Sequence, residues 1–251
     1  MSKCLYFMCG TNFVSYPVKL KTKIMGIWTF FILLTVISYI VSIQFQNKFK
    51  KYSMQSLPYS LTGRQVAEMM LADYGIHDVN IMPARGYLSD HYNPANKTIA
   101  LSPVVYNGNS IASVAVAAHE TGHALQHNRK YFWVHVRSGL VPLAQLGAQI
   151  STWALLGGMF LMNAAPWLLL LGIVGYAISV LFSFVTLPVE FDASRRALEW
   201  MKHKGIVGGT DYQKAKDALK WAAMTYVVAA LTSLATLLYY VVMFMGLSSD
   251  D

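Results

Sequence analysis

Charged residues are scarce in this chain of 251 residues. Only 13% of its residues are charged and 55% are hydrophobic, whereas about a quarter of the residues of a soluble domain are usually charged. Acidic residues are the scarcest, since 12 Asp and Glu residues stand against 20 Lys and Arg residues. This composition excludes an ordinary soluble domain and favours a protein of the lipid bilayer.

Cysteine is also rare. Cys4 and Cys9 both lie in the N-terminal tail, and no later cysteine could join them to the rest of the chain. A disulfide-stapled secreted fold is therefore excluded, and we interpret the pair as incidental. The net charge of +8 does not indicate nucleic-acid binding, because the positive residues flank apolar segments and form no stripe with interleaved aromatic residues.

Four long apolar blocks contain no charged residue. Each is long enough to cross a hydrocarbon core of about 30 Å as a helix. The predicted transmembrane helices are residues 24–43, 139–162, 167–187 and 221–247. A transporter is less favoured, because a coupled ion path usually needs charged groups inside such blocks. The sequence therefore predicts a multi-pass protein of the cell membrane.

Positive residues are distributed unevenly between these blocks. The segment between the first and second blocks holds nine Lys and Arg residues and the segment between the third and fourth holds seven, whereas residues 163–166 and the tail after 247 hold none. The positive-inside rule therefore places both long segments in the cytoplasm. The tail of residues 1–23 contains four lysines, which by the same rule favour the opposite orientation. One hypothesis that removes this conflict is that translation begins at Met25.

One motif carries catalytic chemistry: His119-Glu120-Thr121-Gly122-His123, which has the H-E-x-x-H spacing. Residues four apart on a helix lie one turn above each other, so both imidazoles can bind one metal ion. Glu120 lies close enough to act as a base on water. Two nitrogen ligands, a carboxylate base and an open position for water are what a zinc hydrolase requires. A chance match is the alternative, but the apolar surroundings make unpaired polar groups costly there.

The motif lies in residues 44–138, between the first two predicted spans. We predict a helix from Thr62 to Tyr74, short strands at 79–82 and 98–102 with a loop at 86–94 between them, and a long helix capped by Ser110. A small sheet edge beside such a helix can hold a peptide as an added strand.

A third metal ligand is expected from residues 187–197, which follow the third block. Two predicted spans separate this run from His123, so the chain returns to the same side of the membrane. Glu190 and Asp192 are both candidates, and because they lie roughly 200° apart on a helix, the helical wheel does not choose between them. We favour Glu190. The alternative for both is a carboxylate that stabilises the start of a helix after Pro188.

Two further histidines, His91 and His127, are candidates for the site. His91, in Asp90-His91-Tyr92, is predicted to donate a hydrogen bond to the developing oxyanion. Tyr92 could also be this donor. The alternative is that these polar side chains only form hydrogen bonds within their own turn. His127 follows His123 by four residues. However, it follows His119 by eight, and residues eight apart on a helix point about 80° away from each other. A structural role is therefore favoured for His127, although as a fourth ligand it would close the site and indicate a non-catalytic scaffold or metal-handling protein.

The chain resembles the YugP-type neutral zinc metallopeptidases of bacterial membranes. The matching pieces are Leu61-Thr62-Gly63, Asp90-His91-Tyr92-Asn93-Pro94, the run from Ala117 to His127, and the run from Leu187 to Ala197. The resemblance implies a zinc-dependent endopeptidase with Zn²⁺ as cofactor and peptides or proteins as substrates. It implies His119 and His123 as ligands and Glu120 as catalytic base.

A more distant similarity to HtpX-type membrane proteases supports Glu190, since those proteases complete the site with a Glu after a transmembrane hairpin. They place an Asp four residues after that Glu, where this chain has Ser194. We therefore expect a mainly α membrane protein with four transmembrane helices and a small α+β zincin-like domain, in which residues 188–220 supply the third ligand.

Overall fold

The computed structural model describes residues 18–58, 60–161 and 164–248, and these are mainly helical. Their helices are α1 (Val18–Ser53), α2 (Gly63–Asp73), α3 (Pro103–Tyr106), α4 (Ile111–Asn128), α5 (Phe132–Phe160), α6 (Pro166–His203) and α7 (Gly209–Ser248). Their strands are β1 (Asn80–Pro83), β2 (His91–Asn93) and β3 (Thr98–Leu101). The chain divides into two compact units after Ile37. In the first unit the described residues form the beginning of α1, and the second unit holds the other elements.

The helix starts follow their capping residues. Thr62 caps α2 through a capping box, in which its hydroxyl accepts from the Gln65 N–H and its own N–H donates to the Gln65 side chain. Ser110 accepts from the Ser113 N–H at 3.1 Å and begins α4, as predicted. Such caps stabilise a helix by about 1 kcal/mol each because they satisfy N–H groups that lack a partner within the helix.

The sheet has the order β1-β3-β2, in which β1 runs parallel to β3 and β2 runs antiparallel to it. All four residues of the central strand β3 are buried. The predicted strands at 79–82 and 98–102 correspond to β1 and β3, but the prediction of a loop throughout 86–94 is wrong, because His91–Asn93 pairs with β3. Edge strand β2 therefore brings His91 and Tyr92 to the sheet.

Three helical segments of the described chain are long and apolar enough to cross a membrane: Thr29–Ser53, Pro166–His203 and Gly209–Gly246. They overlap the predicted spans 24–43, 167–187 and 221–247. The remaining predicted span, residues 139–162, forms most of α5, which is not one of these three. Gln145 and Gln149 interrupt the apolar sequence of this helix.

Helices α5 and α6 form a closely packed antiparallel hairpin. A Cβ atom added to Gly147 would lie 2.7 Å from the Gly175 carbonyl oxygen, and one added to Gly158 would lie 2.6 Å from the backbone of Leu169. These separations are shorter than real Cβ contacts, so only glycine allows this approach. Helix α6 then continues through Pro188 without a break, so Glu190 and Asp192 lie inside a helix and not at a helix start.

The sheet and the helices around it share a hydrophobic core. Fully buried side chains from α2, α4, the sheet and the end of α6 meet there; they include Val66, Met70, Ile99, Leu125 and Met201. Polar contacts fix the ends of the long helices beside this core. The Trp200 indole donates to Asp73 on α2, and the Tyr52 hydroxyl at the end of α1 donates to Asp217 on α7, each at 2.7 Å. The core thus fixes α4 and α6 side by side.

Candidate metal centre

Helix α4 carries the H-E-x-x-H motif on a largely buried surface. The Nε2 atoms of His119 and His123 are 3.2 Å apart, and their side chains are 13% and 12% exposed. Both imidazoles therefore point to one position, as the four-residue spacing predicted.

Glu190 of α6 meets the two histidines. Its Oε2 atom lies 3.3 Å from Nε2 of His119 and 3.6 Å from Nε2 of His123, and the residue is buried. Gly122 permits this approach of α6 to α4, since a Cβ atom at Gly122 would lie 2.8 Å from the Ala193 carbonyl oxygen. The glycine within the motif is thus what allows the two helices to meet.

The three donor atoms fit the demands of zinc. Ligand atoms about 2.0–2.1 Å from a tetrahedral zinc ion lie about 3.3 Å from one another, and the separations here are 3.2, 3.3 and 3.6 Å. Two imidazole nitrogens and one carboxylate oxygen are a ligand set typical of catalytic zinc sites. Among the residues that the structure describes, His119, His123 and Glu190 form the one such cluster that could hold a metal ion.

The outer nitrogens of both imidazoles have partners. Nδ1 of His123 lies 3.0 Å from Oε1 of Gln126, and Nδ1 of His119 lies 3.1 Å from the Ser194 hydroxyl. Gln126 is itself fixed to α6, since its amide donates to the Val189 carbonyl at 2.8 Å. Hydrogen bonds of this kind hold Nδ1 away from the metal position and leave Nε2 free to bind. Ser194 thus orients the His119 ring.

Asp192, the rival third ligand, has a different environment. Its carboxylate forms ion pairs with Arg195 and Arg196 and accepts a hydrogen bond of 2.9 Å from Gln126. The structure places Glu190, and not Asp192, beside both histidines. Which carboxylate reaches the histidines depends on how α6 packs on α4. A helical wheel describes a single helix and carries no information about this packing.

Glu120 lies beside the ligands and is 8% exposed. Burial raises the pKa of its carboxyl group, although the neighbouring histidines act in the opposite direction. A raised pKa brings a carboxylate closer to the range in which it exchanges protons at neutral pH. Its place next to the ligand cluster agrees with the position predicted for a base.

His91 and His127 lie in the wall of the same cavity. The Nδ1–H of His91 donates to the Ser89 carbonyl at 2.8 Å. The His127 ring packs against Tyr92 with ring centroids 5.6 Å apart, and burial lowers the pKa of this histidine. His127 is outside the ligand cluster, so the arrangement does not favour the closed, four-ligand site that a structural zinc would need.

Two cavities meet at the ligand cluster and share Asp90, His119, Glu120, Glu190 and Tyr226. The first, of about 270 Å³, is also lined by His91, Tyr92, His127 and Arg137, and we call it the polar cavity. The second, of about 190 Å³, is also lined by Phe45, Phe49, Leu88, Val116, Leu219 and Ala222, and we call it the apolar cavity. The cluster is therefore accessible from two sides with different chemistry.

Tyr226 and Arg137 are two cavity residues that the sequence did not indicate. Tyr226 lies inside the predicted span 221–247, in which we predicted no site residue. Arg137 was counted only as a positive residue that sets orientation. A polar side chain within an apolar block was the one available signal for Tyr226, and it is a weak one.

Comparison with known proteins places the chain in a family. Residues 27–245 match the family model described as "Putative neutral zinc metallopeptidase". Over 220 residues, 86% of this chain and 97% of the relative, it is 37% identical to the "Putative membrane protease YugP" of Bacillus subtilis (strain 168). No solved structure gives a significant match. The chain therefore belongs to the neutral zinc metallopeptidase family, and its His119, His123 and Glu190 cluster could bind the metal that this family implies.

Proposed function

We propose that this protein is a membrane-embedded zinc endopeptidase, with His119, His123 and Glu190 as ligands and Glu120 as general base. The observation that carries the proposal is the convergence of the three donor atoms to within 3.2–3.6 Å of one another beside a buried carboxylate and an open cavity. An enclosed four-ligand site would instead favour a structural role for the metal.

Each residue has a defined task in the proposed reaction. Zinc, when bound, supplies Lewis acidity that makes water nucleophilic near neutral pH and polarises a carbonyl group. The Glu120 carboxylate takes a proton from the attacking water and later gives it to the leaving amine. The Nδ1–H of His91 already donates to the Ser89 carbonyl. The Nε2 atom carries a second N–H, and so donates to the developing oxyanion, only when the ring is an imidazolium. The hydroxyl of Tyr226, which lines the same cavity, is a second donor.

Strand β2 supports the binding of an extended peptide. It is an edge strand, paired to β3 on one side, and its residues His91 and Tyr92 line the polar cavity. An edge strand offers backbone N–H and C=O groups that a substrate can pair with as an added strand. This placement would bring the peptide backbone past the ligand cluster.

The proposal includes four membrane crossings with the catalytic part in the cytoplasm. The 29 residues of α5 can span the hydrocarbon core, and its two glutamines, both exposed on the helix, carry no charge. A hairpin of α5 and α6 returns the chain to the side of His123, which is where Glu190 lies. The seven positive residues between the third and fourth apolar blocks favour the cytoplasmic side.

The proposed activity is tested by metal content and metal removal. Protein purified in mild detergent should contain one zinc ion per chain, measured by elemental analysis. It should cleave a quenched fluorescent peptide internally. A chelator should abolish this cleavage, because Glu120 then lacks an activated water, and one equivalent of Zn²⁺ should restore it. Cleavage that persists in zinc-free protein would contradict the proposal.

Ser194→Ala should weaken zinc binding by about tenfold, because the hydroxyl that orients His119 is lost. Competition with a chromogenic chelator measures this affinity. Ser183→Ala is the matched control, since Ser183 lies on the same helix and its hydroxyl donates to the Ser179 carbonyl. Equal zinc affinity in the two variants would refute the orienting role of Ser194.

A further inference from the structure

The apolar cavity differs from the polar cavity in what it offers a ligand. Apart from the five residues that the two cavities share, its polar side chains are Ser194 and Thr225. The Ser194 hydroxyl lies 3.1 Å from Nδ1 of His119, and the Thr225 hydroxyl donates to the Ala222 carbonyl at 2.6 Å. Both hydroxyls are thus engaged within the protein. The rest of the wall is aliphatic or aromatic, so a polar ligand group would lose its hydration there without new partners.

The apolar cavity also lies directly at the proposed reaction centre. Two metal-ligand residues, His119 and Glu190, are part of its wall, and so is the proposed base Glu120. A group that enters it from a peptide bound at the cluster therefore belongs to a residue adjoining the bond that is cut. The size of the cavity suits one large side chain, since a cavity of about 150 Å³ can hold a benzene ring and this one measures about 190 Å³.

We infer that the apolar cavity is a specificity pocket that binds a large apolar side chain, such as Phe or Leu, next to the scissile peptide bond. This inference rests on the proposed function and names its substrate class. Acidic side chains are excluded from the pocket by the carboxylates of Asp90, Glu120 and Glu190 at its inner end. Small side chains enter it but leave apolar surface without a partner, and so gain less binding energy.

Ala222 lies in the wall of this pocket. It lies one helical turn before Tyr226 on α7, so both residues project from the same face of the helix. Ala222 is only partly buried, so the space in front of it belongs to the cavity and not to a filled core. Ala222→Phe would place a ring in that space, and Ala222→Leu would fill it in part.

The test compares peptides that differ only at one residue, on either side of the cleaved bond, as Phe, Leu, Ala or Asp. The full-length zinc-loaded protein should cleave the Phe and Leu peptides with kcat/KM at least about tenfold above the Ala peptide, for one of the two positions. Ala222→Phe should bring the ratio of kcat/KM for the Phe and Ala peptides close to one, and Ala222→Leu should give an intermediate ratio.

Ala229→Phe is the matched control. Ala229 lies on the same helix, is exposed, and lines neither cavity, so the same added ring should leave the preference unchanged. Zinc content equal to that of the parent protein shows that each variant is folded. The inference would be overturned if Ala222→Phe lowered kcat/KM equally for all four peptides. It would also be overturned if the parent protein cleaved all four peptides equally well.

A binding measurement separates this inference from the catalytic proposal. Fluorescence anisotropy should show that Glu120→Gln binds the Phe peptide at least about tenfold more tightly than the Ala peptide. Adding Ala222→Phe to this variant should remove the difference. If turnover proves independent of Glu120 but this binding pattern holds, the mechanism fails and the pocket stands. If cleavage depends on Glu120 but binding follows the detergent chain length and not the peptide residue, the cavity holds lipid and the inference fails.

Discussion

Replacing Glu120 by Gln is expected to abolish peptide hydrolysis while zinc stays bound. The amide has nearly the shape of the carboxylate but cannot take a proton from water. Loss of a general base reduces turnover by about 100- to 10,000-fold. The ligands are untouched, because Glu120 is outside the cluster of His119, His123 and Glu190. The measurements are kcat on an internally cleaved fluorescent peptide and zinc per chain by elemental analysis.

Glu68→Gln is the control for this experiment. Glu68 is an exposed residue of α2 that pairs with Arg64, so its variant should match the parent protein in both turnover and zinc content. If Glu120→Gln also kept full turnover, another group would have to serve as the base. If it lost zinc together with activity, Glu120 would be a ligand and the proposed assignment of Glu190 would need revision.

Replacing Glu190 by Ala is expected to have the largest effect on metal binding. It removes the only anionic donor of the cluster and leaves two imidazoles. Zinc affinity should therefore fall by more than about 100-fold, which exceeds the loss expected when a residue that only orients a ligand is removed. Hydrolysis should disappear at equimolar zinc. Competition with a chelator of known affinity measures the first effect, and added zinc should restore little activity.

Asp192→Ala makes the comparison decisive, because Asp192 is the other carboxylate of the same run. It should keep its zinc but lose stability, by about 1–3 kcal/mol, because Arg196 and Gln126 lose their shared acceptor. The thermal unfolding midpoint in detergent measures this loss. Zinc loss in Asp192→Ala together with zinc retention in Glu190→Ala would transfer the ligand role to Asp192.

The local parts of this structure could be predicted from the sequence because they depend on neighbouring residues. The spacing of His119 and His123 gave one helix face, and Thr62 and Ser110 gave the helix starts. Strand β2 was missed because three residues carry almost no periodic pattern and pair with β3 through contacts outside their own segment. The choice between Glu190 and Asp192 depended on the approach of α6 to α4 at Gly122, which is a tertiary contact.

The helix boundaries show a second limit of sequence reasoning. Pro188 suggested a new helix after the third span, because proline lacks the N–H that an interior helical bond needs. In the structure α6 continues from Pro166 to His203, so the N–H that Pro188 lacks removes one helical hydrogen bond without ending the helix. The predicted third span and the segment that carries Glu190 are therefore parts of one helix.

The order of these pieces along the chain has a consequence for biosynthesis. The motif helix is made first, and the carboxylate that completes the proposed centre follows only after two further long helices. A nascent or truncated chain that ends before α6 holds two imidazoles and no third donor. The proposed proteolytic activity would thus begin only when the hairpin of α5 and α6 has been completed.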